Sequence, residues 1–205
     1  MDRSRVYRLR ALVAAIILAQ AILVTGIHAD ESGFTAADSA DGAEPYDAEA
    51  AYATMAARLR EKGLTLFVSN MERSLFNTTL SFLLSRMRLT LLAPINSAFT
   101  SLPPVTRRYL THRASVMHRV LAFHMLGRKI SAAQLAGMPA GSLFTTGFEE
   151  MELERVEGEG IVLGKPTLGA QGSVRVVLPD LYSDAQMVVH GVDGVMVPDI
   201  LLDLQ

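Results

Sequence analysis

Three histidines recur at a fixed interval, and a metal site is the first chemistry that such a pattern suggests. His112, His118 and His124 are spaced six residues apart. On an α-helix this spacing turns successive side chains by about 240°, so the three rings cannot converge on one ion. The pattern therefore predicts no metal site, and we expect no cofactor.

Other catalytic patterns are equally weak. Glu150, Glu152 and Glu154 alternate with apolar residues, as the solvated face of a strand does. The glycines from Gly158 to Gly164 lack the strand–turn–helix context of a dinucleotide site, and no serine lies in a nucleophile elbow. Since the chain has no cysteine, disulfides, zinc fingers, iron–sulfur clusters and thiol catalysis are excluded. We expect a protein that is not an enzyme.

Charge is distributed unevenly along the sequence. No acidic residue occurs from Arg73 to Phe148, whereas nine basic residues do, and from Glu149 to Gln205 the balance reverses. Either the two halves attract each other within one domain, or the basic segment forms a face for an acidic polymer. In the second interpretation, the polyanion contacts would be three arginines of this segment: Arg107, Arg108 and Arg113.

The N-terminal residues predict export. Met1–Arg10 is basic, Ala11–Ile27 is apolar, and Ala29 is a small residue at its exit, which is the pattern of a cleavable signal peptide over residues 1–29. A retained anchor is the alternative, although the apolar run is shorter than the roughly 20 residues of a spanning helix. Residues 30–46 are acidic and aperiodic, and predict a disordered leader. We therefore expect a secreted, extracellular protein with no stable membrane insertion after cleavage.

One N-glycosylation sequon is present, Asn77-Thr78-Thr79. A helical wheel places Asn77 opposite the apolar stripe that contains Phe76 and Leu80, so a glycan on Asn77 is expected to project into solvent. The alternative is an unmodified helical asparagine.

Hydrophobic periodicity predicts helices in the first half of the domain and strands in the second. The expected helical half consists of a helix over 47–62 with Asp47 as its N-cap, an apolar link over 64–68, a helix opened by the capping-box spacing of 69–72, a buried strand over 89–93 halted by Pro94, a short turn capped by Asn96, and helices over 104–110 and 114–126. The expected strands are 143–146, 151–156, 161–163, 174–178, 187–189 and 192–197. This order predicts an α+β fold, with a single domain over residues 47–205.

Three motifs follow one another within these elements. Thr90–Phe99 reads TLLAPINSAF, Phe123-His124 lies in an apolar helix, and Val188–Pro198 reads VVHGVDGVMVP. In type, order and spacing they resemble the two signature boxes, and the aromatic–histidine dipeptide between them, of the fasciclin domain family. The resemblance covers Leu64–Leu202.

This resemblance implies a compact, β-sandwich-like core flanked by N-terminal helices. The helix-rich start and the signal peptide are most similar to plant fasciclin-like arabinogalactan proteins, which would place the protein in the apoplast or cell wall. The Pro/Ala/Ser/Thr-rich stretches that carry arabinogalactan are missing from this sequence, so the resemblance implies the domain and not that decoration.

Residue roles follow from the same resemblance. Phe123 and His124 would contact a partner, since the aromatic–histidine neighbourhood is linked to receptor binding in animal relatives. A structural role would fall to six residues of the two boxes: Pro94, Asn96, Phe99, His190, Asp193 and Pro198. The residues alone favour a core position for both His124 and His190, because a histidine among apolar neighbours is more often a hydrogen-bonded core residue.

Two functions remain open at this point. The resemblance implies an adhesion module of the extracellular matrix or cell wall, with an extracellular protein or polysaccharide as its partner. The charge pattern implies a module that binds acidic polysaccharide through segment 73–148. Nucleic acid is not expected as a partner, and the oligomeric state stays open.

Overall fold

The structure is a computed structural model, in which residues 46–148, 152–156, 159–164 and 173–198 are described. The expected signal peptide and nearly all of the acidic leader lie outside the described residues, as do Glu150, Gly158 and the C-terminal end of the expected domain. The described residues from Asp47 onward belong to one compact unit, residues 47–205.

Seven helices occur in the described residues. They are α1 (Ala48–Glu61), α2 (Thr65–Arg73), α3 (Phe76–Leu84), α4 (Asn96–Thr100), α5 (Pro104–His112), α6 (Ala114–Phe123) and α7 (Ala132–Gly137). Helix α1 begins as predicted, because the Asp47 carboxylate accepts hydrogen bonds from the amides of Glu49 and Ala50. Pro104 occupies the first turn of α5, where its missing N–H costs nothing.

The predicted link over 64–68 is wrong, because these residues are largely helical. Helix α2 begins at Thr65, so the capping-box sequence 69–72 lies inside it and opens no helix. The break comes later, at Leu75, whose φ of 59° is left-handed and separates α2 from α3. Apolar runs of this length fit either a link or a helix, and periodicity alone does not decide between them.

The strands form one seven-stranded sheet with the order β2-β1-β7-β6-β5-β4-β3. They are β1 (Leu89–Pro94), β2 (Met125–Leu126), β3 (Leu143–Thr145), β4 (Glu152–Val156), β5 (Val162–Gly164), β6 (Ser173–Ser183) and β7 (Met187–Val192). The pair β1–β7 is parallel and every other pair is antiparallel. Helices and a mixed sheet confirm the α+β prediction, while the sandwich-like arrangement of the core stays a prediction.

The two outer strands of the sheet approach each other. Leu126 at the end of β2 forms a bridge with Thr146, the residue after β3. Two backbone bonds extend this bridge, from the amide of Gly147 to the carbonyl of Met125 and from the amide of Gly127 to the carbonyl of Thr145. The sheet is therefore nearly closed.

Several elements differ from the sequence prediction, among them strand β6, which runs to Ser183 where the prediction ended at 178. The predicted helix over 114–126 ends at Phe123, since Met125 and Leu126 pair with β1 as strand β2. The predicted strand over 192–197 is wrong, because β7 ends at Val192 and a bend follows at Asp193 and Gly194. Helix α7 was not predicted, although Ser131 and Gln134 form a capping box at its start.

Candidate functional site

His190 lies in the middle of the sheet, on β7, and its side chain is fully buried. Its Nδ1 accepts the amide of Asp180 on β6 at 3.0 Å, and its Nε2 donates to the carbonyl oxygen of Ile130 at 2.9 Å. This pair of bonds requires the neutral ring with its proton on Nε2. Burial lowers the pKa of His190, which keeps the ring neutral near pH 7.

The backbone conformation and the carboxylate of Asp180 both contribute to its position beside His190. It lies at an irregular point of β6 with φ 45°, a conformation that aspartate tolerates better than most residues. Its Oδ1 lies 3.6 Å from Nδ1 of His190 and accepts the amide of Ala132, the first residue of α7, at 3.0 Å. Asp180 therefore connects β6, β7 and α7.

His124 plays the same part at the end of α6. Its Nδ1 donates to the carbonyl oxygen of Val120 at 2.8 Å, and its Nε2 accepts the amide of Met196 at 3.1 Å. Complete burial lowers the pKa of His124 to about 4. The ring is neutral and holds the segment after β7 against α6.

The expected partner contact through Phe123 and His124 is wrong. Phe123 is 0% exposed and His124 is 1% exposed, so a partner cannot reach either side chain in the folded protein. Their helix packs against β2 and against the neighbouring helices α2, α3 and α5. The two side chains belong to the core, where aromatic and neutral imidazole rings are stable once their polar atoms are satisfied.

The three evenly spaced histidines do not meet. The Nδ1 of His118 faces the carbonyl oxygen of Ser74, and its ring contacts Phe76 edge-on at 5.2 Å between centroids. His112 is exposed on α5, and its Nδ1 contacts the carbonyl oxygen of Arg108. Among the described residues, no group of three His, Asp or Glu side chains could hold a metal ion.

Asn96 has a role other than the predicted one. It does not cap its own short helix, α4, whose N-cap is Ile95. Its Oδ1 instead accepts the amide of Leu66 at 3.0 Å, and its Nδ2 donates to the hydroxyl of Thr65. Asn96 therefore satisfies the start of α2, since the N-cap residue of that helix has no side-chain acceptor.

The other residues of the two boxes are structural parts of the sheet ends. Pro94 is the buried last residue of β1 and lies opposite Val192. The Oδ1 of Asp193 accepts the amide of Arg175 at 2.7 Å, which ties the bend after β7 to β6. Phe99 and Pro198 are buried.

Gly191 was not singled out by the sequence, and it is a close-approach position. A Cβ atom there would lie 2.7 Å from Cβ of Leu178 on the neighbouring strand. The pattern His190-Gly191 is the only signal that could have found it, since a glycine inside a strand often marks close backbone approach.

Three arginines of the expected polyanion contact lie on or beside α5. Arg107 is half-buried and donates to the carbonyl oxygen of Thr100 at 2.9 Å, while Arg108 is exposed. Arg113 is exposed and stacks over the ring of Tyr109 at 4.7 Å. Arg73 reaches the same region through a bond to the carbonyl oxygen of Thr111 at 2.9 Å.

None of the arginines in segment 73–148 forms an ion pair with a carboxylate of the described residues. The ion pairs between arginine and glutamate lie elsewhere, at Arg58–Glu61 and Arg60–Glu72. The attraction between the basic and acidic halves is therefore not expressed as arginine–carboxylate contacts in the part of the chain that the structure describes.

Asn77 is half-buried, which differs from the fully solvated position expected of it. Its Oδ1 is buried without a hydrogen-bond partner among the described residues. The reason is that α3 packs against α1, α2 and α6, so its polar face is partly covered as well. Whether Asn77 carries a glycan stays a prediction.

The geometry defines a class of protein: an α+β module whose sheet is fastened by two buried, neutral histidines. The chain belongs to the fasciclin domain family, because the family model named "Fasciclin domain" matches residues 62–198. In the described ranges, no helix is long and apolar enough to cross a membrane. A search of curated protein sequences found no match to the chain.

A solved structure of similar fold is the FAS1 domain pair of the insect cell adhesion molecule fasciclin I, with a TM-score of 0.52 and 18% sequence identity. The match covers 67% of this chain and 46% of that one, so this chain spans about half the length of the solved relative. At this identity the likeness shows the fold.

Proposed function

We propose that the protein is a non-enzymatic adhesion module of the extracellular matrix or cell wall, acting through protein or glycan contacts. Membership of the fasciclin domain family is the observation that carries this proposal. The solved relative is a cell adhesion molecule, which supports the same role. The buried motif histidines favour a structural role over catalysis, because both ring nitrogens of each are used in hydrogen bonds within the fold.

The proposal includes export and an extracellular location. It rests on the basic start, the apolar run and Ala29, which together resemble a signal peptide. If cleavage follows Ala29, N-terminal sequencing of the secreted protein will find Asp30 as the first residue. Recovery of a membrane-bound product that begins at Met1 would show a retained anchor. The finer proposal, a relative of plant fasciclin-like arabinogalactan proteins, places this module in the apoplast or cell wall.

A second function is favoured by one specific observation, the unpaired arginines on and beside α5. Arg108 and Arg113 are exposed, and no described carboxylate pairs with them. Such a face attracts acidic polymers, and the attraction weakens as salt screens it. In this alternative, polyanion binding and not a specific adhesive contact is the main activity.

Adhesion of coated beads separates the two functions. Beads that carry the full chain should be retained on extracellular matrix or cell-wall material, and beads coated with a fasciclin-free protein of similar charge should wash off. If the adhesion proposal holds, retention survives in the Arg107→Ala plus Arg108→Ala variant, whatever its response to about 0.5 M salt, where the Debye length is only a few ångströms. If retention is lost there, and also with Arg107→Ala plus Arg108→Ala, the polyanion function takes its place.

A further inference from the structure

A largely open cavity of about 610 Å³ lies at one end of the sheet, and no arginine of α5 lines it. It forms where β1 and β7 begin and where β2 and β6 end. These four strands are neighbours in the sheet, and the end of each contributes to the wall of the cavity. The residues that line it among those described include no aspartate and no glutamate. Its volume is in the range of sites that hold a small ligand.

Three cationic side chains line this cavity: Arg88, Arg128 and Lys129. Arg88 comes two residues before Thr90, and Arg128 two residues after Leu126, which is the partner of Thr90 across the β1–β2 pair. Within the described residues, neither guanidinium group has a hydrogen-bond acceptor or a carboxylate partner. Two arginines with unused hydrogen-bond donors at one concave site favour the binding of an anion. A carboxylate fits best, because its two oxygens can accept two parallel hydrogen bonds from a planar guanidinium group.

The backbone that carries Arg128 and Lys129 is firmly held. The hydroxyl of Thr90, fully buried, donates to the carbonyl oxygen of Arg128 at 2.7 Å and accepts the amide of Ile130 at 2.9 Å. The carbonyl of Ile130 accepts from His190, and the ammonium group of Lys129 donates to the carbonyl oxygen of Asp184. The segment 128–130 is therefore preorganised, which lowers the entropic cost of binding.

Neutral donors complete the wall. Ser131 and Gln134 are fixed by their capping box, in which the hydroxyl oxygen of Ser131 accepts the amide of Gln134, and Oε1 of Gln134 accepts the amide of Ser131. The hydroxyl proton of Ser131 and the side-chain NH₂ of Gln134 remain available as donors. The exposed hydroxyl of Ser183 lines the same cavity.

We propose that this cavity binds a carboxylated saccharide, with Arg88 and Arg128 on the carboxylate and with Ser131, Gln134 and Ser183 on ring hydroxyls. The combination of cations with hydroxyl and amide groups matches a ligand that carries both carboxylates and hydroxyls. A nucleotide fits less well, since none of the lining residues is aromatic and a base would have no ring to stack on. The inference deepens the proposed adhesive function, on which its biological meaning rests, by naming the glycan class.

Isothermal titration of the full-length chain with trigalacturonate tests the proposal, with galactotriose as the neutral counterpart. We expect trigalacturonate to bind and galactotriose not to bind. Arg88→Ala plus Arg128→Ala should weaken binding about tenfold or more, as expected for the loss of charge-assisted hydrogen bonds. Arg107→Ala plus Arg108→Ala removes the same charge from α5 and should leave the affinity within about twofold.

Amide chemical shifts of the wild-type protein locate the binding site without any substitution that could disturb the fold. On addition of trigalacturonate, the largest changes should fall on Gly127, Ser131 and Ser183. Changes centred on α5, or equal losses in the two double variants, would show non-specific attraction and overturn the proposal. Equal binding of galactotriose, inorganic phosphate that binds as tightly as trigalacturonate, or no binding at millimolar concentration would overturn it too.

The outcome separates the cavity from the adhesive function. If coated beads adhere but trigalacturonate does not bind, only the cavity proposal fails. If trigalacturonate binds in the cavity but coated beads do not adhere, the adhesion proposal fails and the saccharide site remains.

Discussion

Asp180 and His190 meet across β6 and β7 through a hydrogen bond and not an ion pair. The amide of Asp180 donates to Nδ1 of His190 at 3.0 Å, so this nitrogen carries no proton even though the Asp180 carboxylate lies only 3.6 Å away. The other ring nitrogen holds Ile130, which adjoins the cationic wall of the cavity. One buried ring thus supports both the sheet and the segment that carries Arg128 and Lys129.

Replacing His190 by alanine should destabilise the fold and, with it, weaken the adhesion of beads that carry the protein. The change leaves the amide of Asp180 and the carbonyl of Ile130 without partners, a loss of about 1–3 kcal/mol. Thermal unfolding should show the lower melting temperature, and the control Arg107→Ala plus Arg108→Ala should lower it much less, since Arg108 is exposed and Arg107 loses a single hydrogen bond to the carbonyl oxygen of Thr100. An unchanged melting temperature with abolished binding would mean that His190 is a contact residue.

Acid should destabilise the protein through His124. Its pKa falls from 6.5 in the unfolded chain to about 4 in the fold, so its stabilising contribution is complete above pH 6.5 and is lost as the pH falls toward 4. A shift of this size corresponds to about 3 kcal/mol. The lowered pKa values of His118 and His190 act in the same direction. Urea unfolding at pH 7.5 and 4.5 measures the loss, and His124→Gln should reduce the difference; an unchanged difference in this variant would contradict the assignment.

Gly191→Ala should destabilise the centre of the sheet. The added Cβ would lie 2.7 Å from Cβ of Leu178, closer than two carbon atoms tolerate, so β6 and β7 must separate locally. We expect a loss of about 1–3 kcal/mol by chemical denaturation. Gly137→Ala is the matched control, because nothing lies within 4 Å of its added Cβ and its stability should be equal or higher. Equal stability of the two variants would contradict the close approach.

Asn96→Ala should weaken the start of α2 although the residue lies in another helix. The amide of Leu66 loses its acceptor, which costs about 1 kcal/mol as for an N-cap. Hydrogen exchange at Leu66 and Phe67 should become faster. Ser97→Ala changes an exposed neighbour and should leave exchange at α2 as in the wild type. Faster exchange in both variants would indicate a general loosening of α4.

The sequon at Asn77 is expected to be only partly used. Its Oδ1 is buried, whereas a glycan on the same amide must reach solvent, so only a fraction of the chains should carry one. Protein secreted by eukaryotic cells should therefore give two bands that Asn77→Gln and glycosidase both reduce to the faster one. A single band that glycosidase does not move would show that the sequon is unused.

Much of the fold could be predicted because its signals are local. Asp47 caps α1, the apolar run from Leu89 forms β1, and helices followed by strands give the α+β class. Contacts between distant residues could not be predicted in this way. Asn96 accepts the amide of Leu66 from 30 positions along the chain. The left-handed conformation of Asp180 can be explained only by its contact with His190 on the neighbouring strand.

The candidate sites, too, could be predicted where the signal is local and not where distant residues meet. The sequence indicated that both motif histidines prefer a core position, but the resemblance assigned His124 to a partner contact that its burial excludes. The cavity had no sequence signal, because its wall joins residues from the ends of four strands and from α7. Only the register of β1 with β2 and β7 brings those ends together.

The near closure of the sheet limits how a partner can attach. The outermost strands β2 and β3 are short, and the bridge between Leu126 and Thr146 occupies backbone groups where they meet. The described outermost strands therefore offer an extended peptide no long free edge on which to add a strand by β-augmentation. At this closure, contacts with a partner must come from side chains, and the same bridge hinders copies of the chain from joining through β2 and β3 edge to edge.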